Sequence, residues 1–327
     1  GRPLRVPGAY TDMTAAGCRW TNIWGMEAPA YFCSDPEFRE IGTLRRNLAF
    51  DFVAEECKTV QTDIGMLDIS AFSRFEVKGL GADTYLNKLL ACQLPEPGQV
   101  RLAPMLAEDG RLKGDLTCFN WGEGTYWLMG SYNLRAFHMR WFERFASQAV
   151  NLTTTSDFYG GFSLQGPKAR DLLKKLTKTD IGNLKMMQCM PLEIGLLSIK
   201  LGRLSLSGEL AYEINCLTNE HAALRRTLLE TGAEFGTREI GFRAAGSLRL
   251  EKGIGVWGGE FTQEYTPAMT GLDRWIAWDK DAFVGKMAAQ KAKEPNRKLC
   301  MLEIDAIDAD AAGHEPVRLG NEVIGMI

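Results

Sequence analysis

The sequence predicts an α+β protein of two related lobes, followed by a smaller β segment. Three observations predict it. Phe75-Glu-Val-Lys-Gly79-Leu-Gly-Ala82-Asp-Thr-Tyr-Leu86-Asn-Lys88-Leu89 recurs 87 residues later as Phe162-Ser-Leu-Gln-Gly166-Pro-Lys-Ala169-Arg-Asp-Leu-Leu173-Lys-Lys175-Leu176. Each copy reads as a strand that ends in glycine, then a helix with a Leu/Leu stripe. Alternating strand patterns are interleaved with helical ones through the middle of the chain, and from Lys298 the pattern turns β again.

Taken in order, Asp115 to Ser131 predicts a hairpin about Gly122-Glu-Gly124, then a helix from Leu134 to Val150. That helix puts Leu134, Phe137, Trp141 and Phe145 on one apolar stripe. In the second copy Pro167 suits a first helical turn, where its missing N–H is not needed. Met186 to Ile214 predicts two or three strands, Asn219 to Gly236 a helix ended by Gly232 or Gly236, and Arg238 to Lys252 a further helix. Leu299 to Ile304 reads as a strand, and Val317 to Ile324 as a hairpin through Gly320-Asn321.

Composition excludes several classes of function. A chain of 327 residues with 45% hydrophobic and 24% charged residues can bury two or three cores. A net charge of -3 makes nucleic acid an unnatural partner. No apolar run approaches the roughly 18 residues needed to span a bilayer. Eight cysteines without a C-x-x-C pair indicate reduced thiols, hence a cytoplasmic or mitochondrial-matrix setting. His138, His221 and His314 are too scattered to suggest a metal site or a Ser-His-Asp triad. The start at Gly1 and the stop inside a strand pattern suggest a piece of a longer protein, so a targeting signal is not excluded.

Four segments carry chemistry: Asp63-Ile-Gly-Met-Leu-Asp68-Ile-Ser70, Glu108 to Thr117 around Asp115, Ser207-Gly-Glu-Leu-Ala-Tyr-Glu213-Ile, and Ser247 to Glu260. On the residues alone, Asp115 is an edge-strand carboxylate facing water, Glu213 a solvent-facing acid on a half-buried strand and Arg203 a surface charge. Gly253-Ile-Gly255-Val-Trp-Gly258 spells a dinucleotide fingerprint, but a helical pattern precedes it and none follows, so a Rossmann site is rejected.

In combination and order these segments resemble the aminomethyltransferase family, the T-protein of glycine cleavage and its relatives. They are most similar to the C-terminal folate domain of dimethylglycine and sarcosine dehydrogenases. The resemblance implies a folate-binding aminomethyltransferase-type fold over residues 37–285. It makes 1–36 a tether to a flavin domain and 286–327 the incomplete start of a C-terminal β-barrel or jelly-roll-like domain. It implies an enzyme that captures the methyl-derived carbon of an N-methylated amino acid as 5,10-methylenetetrahydrofolate. FAD would lie only in a domain outside the chain. Asp115 falls on the carboxylate near the reactive folate nitrogens, a group able to offset a developing positive charge or accept a proton. Glu213 falls on the acid that takes the aminopyrimidone edge of the pterin, and Tyr212, Thr117, Ser131, Arg203 and Trp275 complete the cofactor-binding set. The chain departs from the T-proteins at Leu206, at Ala245-Gly246, at Met186-Met187 and at Arg274. These departures leave open a non-catalytic regulatory or scaffold module of the same fold. A folate-dependent demethylase of a methylated onium compound is open as well.

Overall fold

The computed structural model describes residues 1–327. The chain begins with helix α1 (Tyr10–Ala15), a hairpin of β1 (Cys18–Ile23) and β2 (Met26–Phe32), and helix α2 (Phe50–Thr62). The first lobe follows: β3 (Ile64–Asp68), β4 (Phe72–Lys78), α3 (Ala82–Leu89), β5 (Val100–Leu106), β6 (Leu112–Asn120), β7 (Thr125–Ser131) and α4 (Arg135–Phe145). The second repeats that order with β8 (Asn151–Thr154), β9 (Tyr159–Gln165), α5 (Ala169–Leu176), β10 (Gln188–Ile194), β11 (Leu197–Arg203), β12 (Ala211–Leu217) and α6 (His221–Gly232). After it come β13 (Thr237–Ile240), α7 (Phe242–Glu251), α8 (Pro267–Thr270), α9 (Lys286–Lys291) and a terminal hairpin of β14 (Pro316–Leu319) and β15 (Glu322–Met326).

The internal echo is structural. The first sheet runs β5-β6-β7-β4-β8 and the second β10-β11-β12-β9-β3-β13, so β4 to β7 occupy the places of β9 to β12. The edges are exchanged. β3, which leads into β4, pairs with β9 of the second sheet, and β8, which leads into β9, pairs with β4 of the first. Each lobe is therefore completed by the strand that feeds the other. Gly79 and Gly166 end the two repeat strands with φ of 116° and 135°, a conformation that side chains rarely adopt. A Cβ there would lie 2.5 Å from the Ala149 carbonyl oxygen and 2.2 Å from that of Asp63.

Alternation sends one face of each sheet into its own core. The first core holds Phe75, Leu86, Leu116, Cys118, Leu128 and Phe142; the second holds Phe162, Leu164, Leu173, Ile214, Leu224 and Leu228. The opposite faces of the two sheets are turned toward each other.

Several elements differ from expectation. Helix α4 stops at Phe145, because the next residues turn so that β8 can take the β4 edge. Its buried residues are His138, Trp141 and Phe142, with Phe145 packed beside them; Trp141 and Phe145 are as predicted, whereas His138 takes the place expected of Phe137. Arg238 to Ile240 is strand, not helix. The free edge of β3 offers backbone partners in parallel pairing, from Thr237 opposite Ile64 to Ile240 opposite Leu67. Buried Glu56 fixes the corner into α7 by accepting the N–H groups of Gly241 at 2.9 Å and Phe32 at 2.6 Å. Leu299 to Ile304 is an exposed loop, because it pairs with no other strand of the chain. The hairpin through Gly320-Asn321 forms as expected, although nothing covers its side chains. The β6–β7 hairpin, the three strands β10 to β12 and α6, continued by a 3-10 turn (Ala233–Phe235) that left-handed Gly236 ends, also match. Residues 1–36 carry α1 and the β1–β2 hairpin, with β2 buried along most of its length. No helix is long and apolar enough to cross a membrane.

Candidate functional site

On β6 the residues Asp115, Thr117 and Phe119 share the face turned toward the second sheet. They pair with Pro104, Leu102 and Val100 on β5. Thr117 and Phe119 pair with Met129 and Trp127 on β7, where Ser131 continues the same face. Arg74 and Phe72 of β4 pair with Met129 and Ser131. The second sheet answers with Glu213 and Asn215 of β12, opposite Gly202 and Lys200 of β11 and Ser163 and Gly161 of β9.

Direct contacts show that these faces meet. The Arg74 guanidinium, 0% exposed, donates from Nε (3.0 Å) and Nη2 (2.8 Å) to Oδ1 of Asn215. Its Nη1 and Nη2 also donate to the carbonyl oxygens of Phe72 and Ile69, each at 3.0 Å. The Lys200 ammonium lies 4.5 Å from the Trp121 ring centre and 5.1 Å from that of Trp127. A Cβ on Gly202 would be 2.8 Å from the Phe119 ring. The sheets therefore touch where glycine opposes an aromatic residue.

Both predicted acids line this interface and both titrate high. Burial pushes the Asp115 carboxyl up to about 6, while its own backbone amide and that of Trp257 favour the ionised form. Burial pushes Glu213 up to about 7 against the charge of Arg74. Oε2 of Glu213 is buried and has no hydrogen-bond partner. An orphaned carboxylate oxygen costs energy unless a donor reaches it. Burial also lowers Arg74 to about 10, yet it stays cationic at neutral pH.

Asp115, Thr117 and Ser131 are thus gathered on one face and Glu213 on the face opposite. The other expected residues lie elsewhere. Tyr212 alternates to the far side of β12, where it is fully buried in the second core and accepts a 2.8 Å hydrogen bond from Arg170. Arg203 alternates likewise, and its Nη1 donates to the Leu184 carbonyl at 2.6 Å. Trp275 sits in a short 3-10 turn, Leu272–Trp275, 38% exposed with Arg274 5.8 Å from its ring. For Tyr212 and Arg203 the reason is the two-residue period: neighbours of Glu213 and Gly202 must point away from them. Arg74, Asn215 and Lys200 went unrecognised. The sequence carries no local signal for them: a charge next to Phe75 reads equally well as a solvated strand residue. No group of three or more His, Cys, Asp or Glu side chains is arranged to hold a metal.

Comparison with known proteins fits this arrangement. The family model described as GCVT N-terminal domain matches residues 9–280. The chain belongs to that family. Among curated members, dimethylglycine dehydrogenase of Rattus norvegicus is 32% identical over 99% of this chain, and the chain spans 39% of that relative's length. An aminomethyltransferase of Halalkalibacterium halodurans is 29% identical over 85% of this chain and 77% of its own. The fold matches the crystal structure of glycine cleavage system aminomethyltransferase T from Bartonella henselae with a TM-score of 0.76 at 22% identity, over 88% of this chain and 74% of that one.

Proposed function

We propose that this chain binds tetrahydrofolate between its two sheets and captures the one-carbon unit of an N-methylated amino acid of the dimethylglycine or sarcosine type. One observation carries the reading: Oε2 of Glu213 is buried without a donor on the face opposite Asp115. A pterin edge presents adjacent N–H groups, the donors such an oxygen lacks. Bound there, tetrahydrofolate supplies amine nitrogens that take up the carbon as 5,10-methylenetetrahydrofolate.

The residues act around that ligand. Glu213 accepts the pterin N–H groups, and the charge of Arg74 favours its ionised form against burial. Phe119 and Met129, both buried at the seam, make its wall beside the ligand apolar. Asp115, raised to about 6, is ionised at neutral pH and basic enough to take the proton released when nitrogen bonds to carbon. A flavin-bearing region outside the chain oxidises the methylated amine in this reading. It is supported by the names of the relatives and by their greater length.

A second reading has its own observation. At Ala245-Gly246 the T-proteins carry an Arg-Asp pair, whereas here Ala245 is buried and a Cβ on Gly246 would meet nothing within 4 Å. Neither position offers a charged or polar side chain here, which favours a non-catalytic module of the same fold. Titration calorimetry with tetrahydrofolate separates the two. The enzyme reading expects binding that Glu213→Gln weakens by roughly 1.5–3 kcal/mol, the worth of a hydrogen bond to a charged acceptor. No heat and no thermal shift at millimolar tetrahydrofolate would establish the module instead.

A further inference from the structure

Strand β9 ends at Gln165, whose side chain is 0% exposed and whose amide Nε2 and Oε1 both lack a hydrogen-bond partner. A buried amide left unpaired costs free energy, so packing alone does not account for it. Nor does the scaffold demand it. In the first copy of the repeat the same place, one residue before the positive-φ glycine, is held by Lys78. That side chain is 46% exposed and forms a 2.7 Å ion pair with Glu76.

Strand pairing fixes where the amide lies. Ser163 stands opposite Glu213 on β12 and Leu67 on β3, and Gln165, two residues on, stands opposite Ala211 and Gly65. Gln165 and Glu213 therefore share one face of the second sheet as diagonal neighbours, a spacing of about 7–8 Å that long side chains bridge. On the β3 side this face is closed by hydrocarbon. A Cβ on Gly65 would lie 2.4 Å from Val60 and 3.0 Å from Ile240, and Leu67 packs with Ala245 and Leu248 of α7. On the β12 side the neighbour is Ala211, which has no polar side-chain atom to offer. The next residue on that strand to face the same way is Glu213, whose Oε2 is also buried without a partner. The end of β9 is held in place, because Gly166 N–H donates to the Leu210 carbonyl at 2.8 Å.

Three orphaned atoms thus occupy neighbouring places on one face: an acceptor on Glu213, and a donor and an acceptor on Gln165. The edge of a tetrahydropterin presents the complementary order. Its 2-amino and N3 hydrogens are donors, the C4 oxygen beside them is an acceptor, and the N5 hydrogen beyond is a donor again.

We propose that Gln165 is a second ligand-reading residue, its Nε2 donating to the C4 oxygen of the pterin while Glu213 takes the hydrogens beside it. The inference rests on the reading of the seam as a folate site. Together the two side chains read the edge as donor, donor, acceptor, a pattern that a ring without the oxo group does not offer.

The test uses Gln165→Met, which keeps the length of the side chain and removes both polar atoms. Calorimetry is expected to show about tenfold weaker binding of tetrahydrofolate, the worth of one hydrogen bond. Without ligand the variant should melt at the same temperature as the wild type or higher, since an unpaired amide has been replaced by an apolar group. A residue that only supports the fold gives the reverse, lower stability with unchanged affinity, and that result would overturn the proposal. A second measurement covers a variant that folds poorly. In nitrogen-15 NMR of glutamine-labelled wild-type chain, saturating tetrahydrofolate should move the Gln165 side-chain signal, and an unmoved signal overturns the assignment. Affinity lost in Glu213→Gln but kept in Gln165→Met would sink this inference alone, whereas no binding to the wild type would sink the folate reading with it.

Discussion

The two lobes repeat one scaffold yet furnish it in opposite ways. By their places in the strand pairing, Phe119 corresponds to Gly202, Thr117 to Lys200, Met129 to Asn215, Trp127 to Glu213 and Arg74 to Gly161. The inner face of the first lobe is thus mostly bulky and apolar, whereas that of the second is made of glycine and polar or charged residues. Two identical faces of large residues would pack into a dry seam, and two small polar faces would leave a wet gap. Opposing one with the other gives an apolar wall facing polar, hydrogen-bonding groups, the composition expected of a small-molecule site. Even the cross-lobe bond follows this logic: the first lobe supplies the long cation, Arg74, and the second the short acceptor, Asn215.

The sharpest way to break this comparison is at the acid of the apolar wall. Asp115→Asn keeps shape and polarity but removes the proton acceptor. On the proposed function, and in a preparation joined to a flavin-bearing amine oxidase region, methylenetetrahydrofolate formation is expected to fall roughly 10²–10⁴-fold, with folate binding and amine oxidation intact. The oxidised carbon would then leave as formaldehyde. An unchanged ratio of methylenetetrahydrofolate to formaldehyde would assign Asp115 a structural role.

The echo, the β6–β7 hairpin and the hydrophobic helices were legible because each rests on local periodicity and turn residues. The exchange of β3 and β8 was not, since pairing partners distant in the chain leave no local signal. The same limit explains Arg238-Glu239-Ile240, whose three residues carry no alternation to contradict a helix until β3 offers its edge. At the site, Asp115, Thr117, Ser131 and Glu213 were named through the family resemblance, and the strand pairing gathers them on two facing sheets. Tyr212 and Arg203 were named through the same resemblance, and the strand period sends them to the opposite faces. Arg74 was illegible because nothing local distinguishes a buried cation, satisfied by Asn215 and two carbonyls, from a solvated one.

The acid of the polar wall gives the next effect, and its sign is opposite for stability and binding. Glu213 titrates near 7 in the folded chain, above the ordinary value of 4.5. The folded state therefore holds the proton more tightly than the unfolded state. Its contribution to stability is full below about 4.5 and is lost as pH rises through about 7. The loss is at most about 3 kcal/mol, reduced by the partial solvent access of the side chain. Glu213→Gln does not titrate, so denaturation profiles of wild type and variant should diverge between pH 5 and 8 in favour of the variant. Parallel profiles would show that Glu213 is already satisfied in the free protein.

The smallest expected effect tests the repeat itself. Gly79 and Gly166 hold the same place in the two copies, but their surroundings differ. At Gly166 a Cβ would meet two carbonyl oxygens, Asp63 at 2.2 Å and Val60 at 2.8 Å; at Gly79 it would meet one, Ala149 at 2.5 Å. Both positions also impose a positive φ on alanine. Each Gly→Ala change should cost roughly 1–3 kcal/mol, measured by urea denaturation with the slope unchanged. The cost should be greater at Gly166, where two backbone segments must move rather than one. Those segments are the end of α2 and the residue before β3, so strain there is transmitted to the exchanged strand. Gly79→Ala presses instead on the approach to β8, a four-residue strand at a sheet edge that is freer to shift. Equal losses at the two sites would mean that the backbone conformation alone sets the cost and that the exchanged strands are equally pliant.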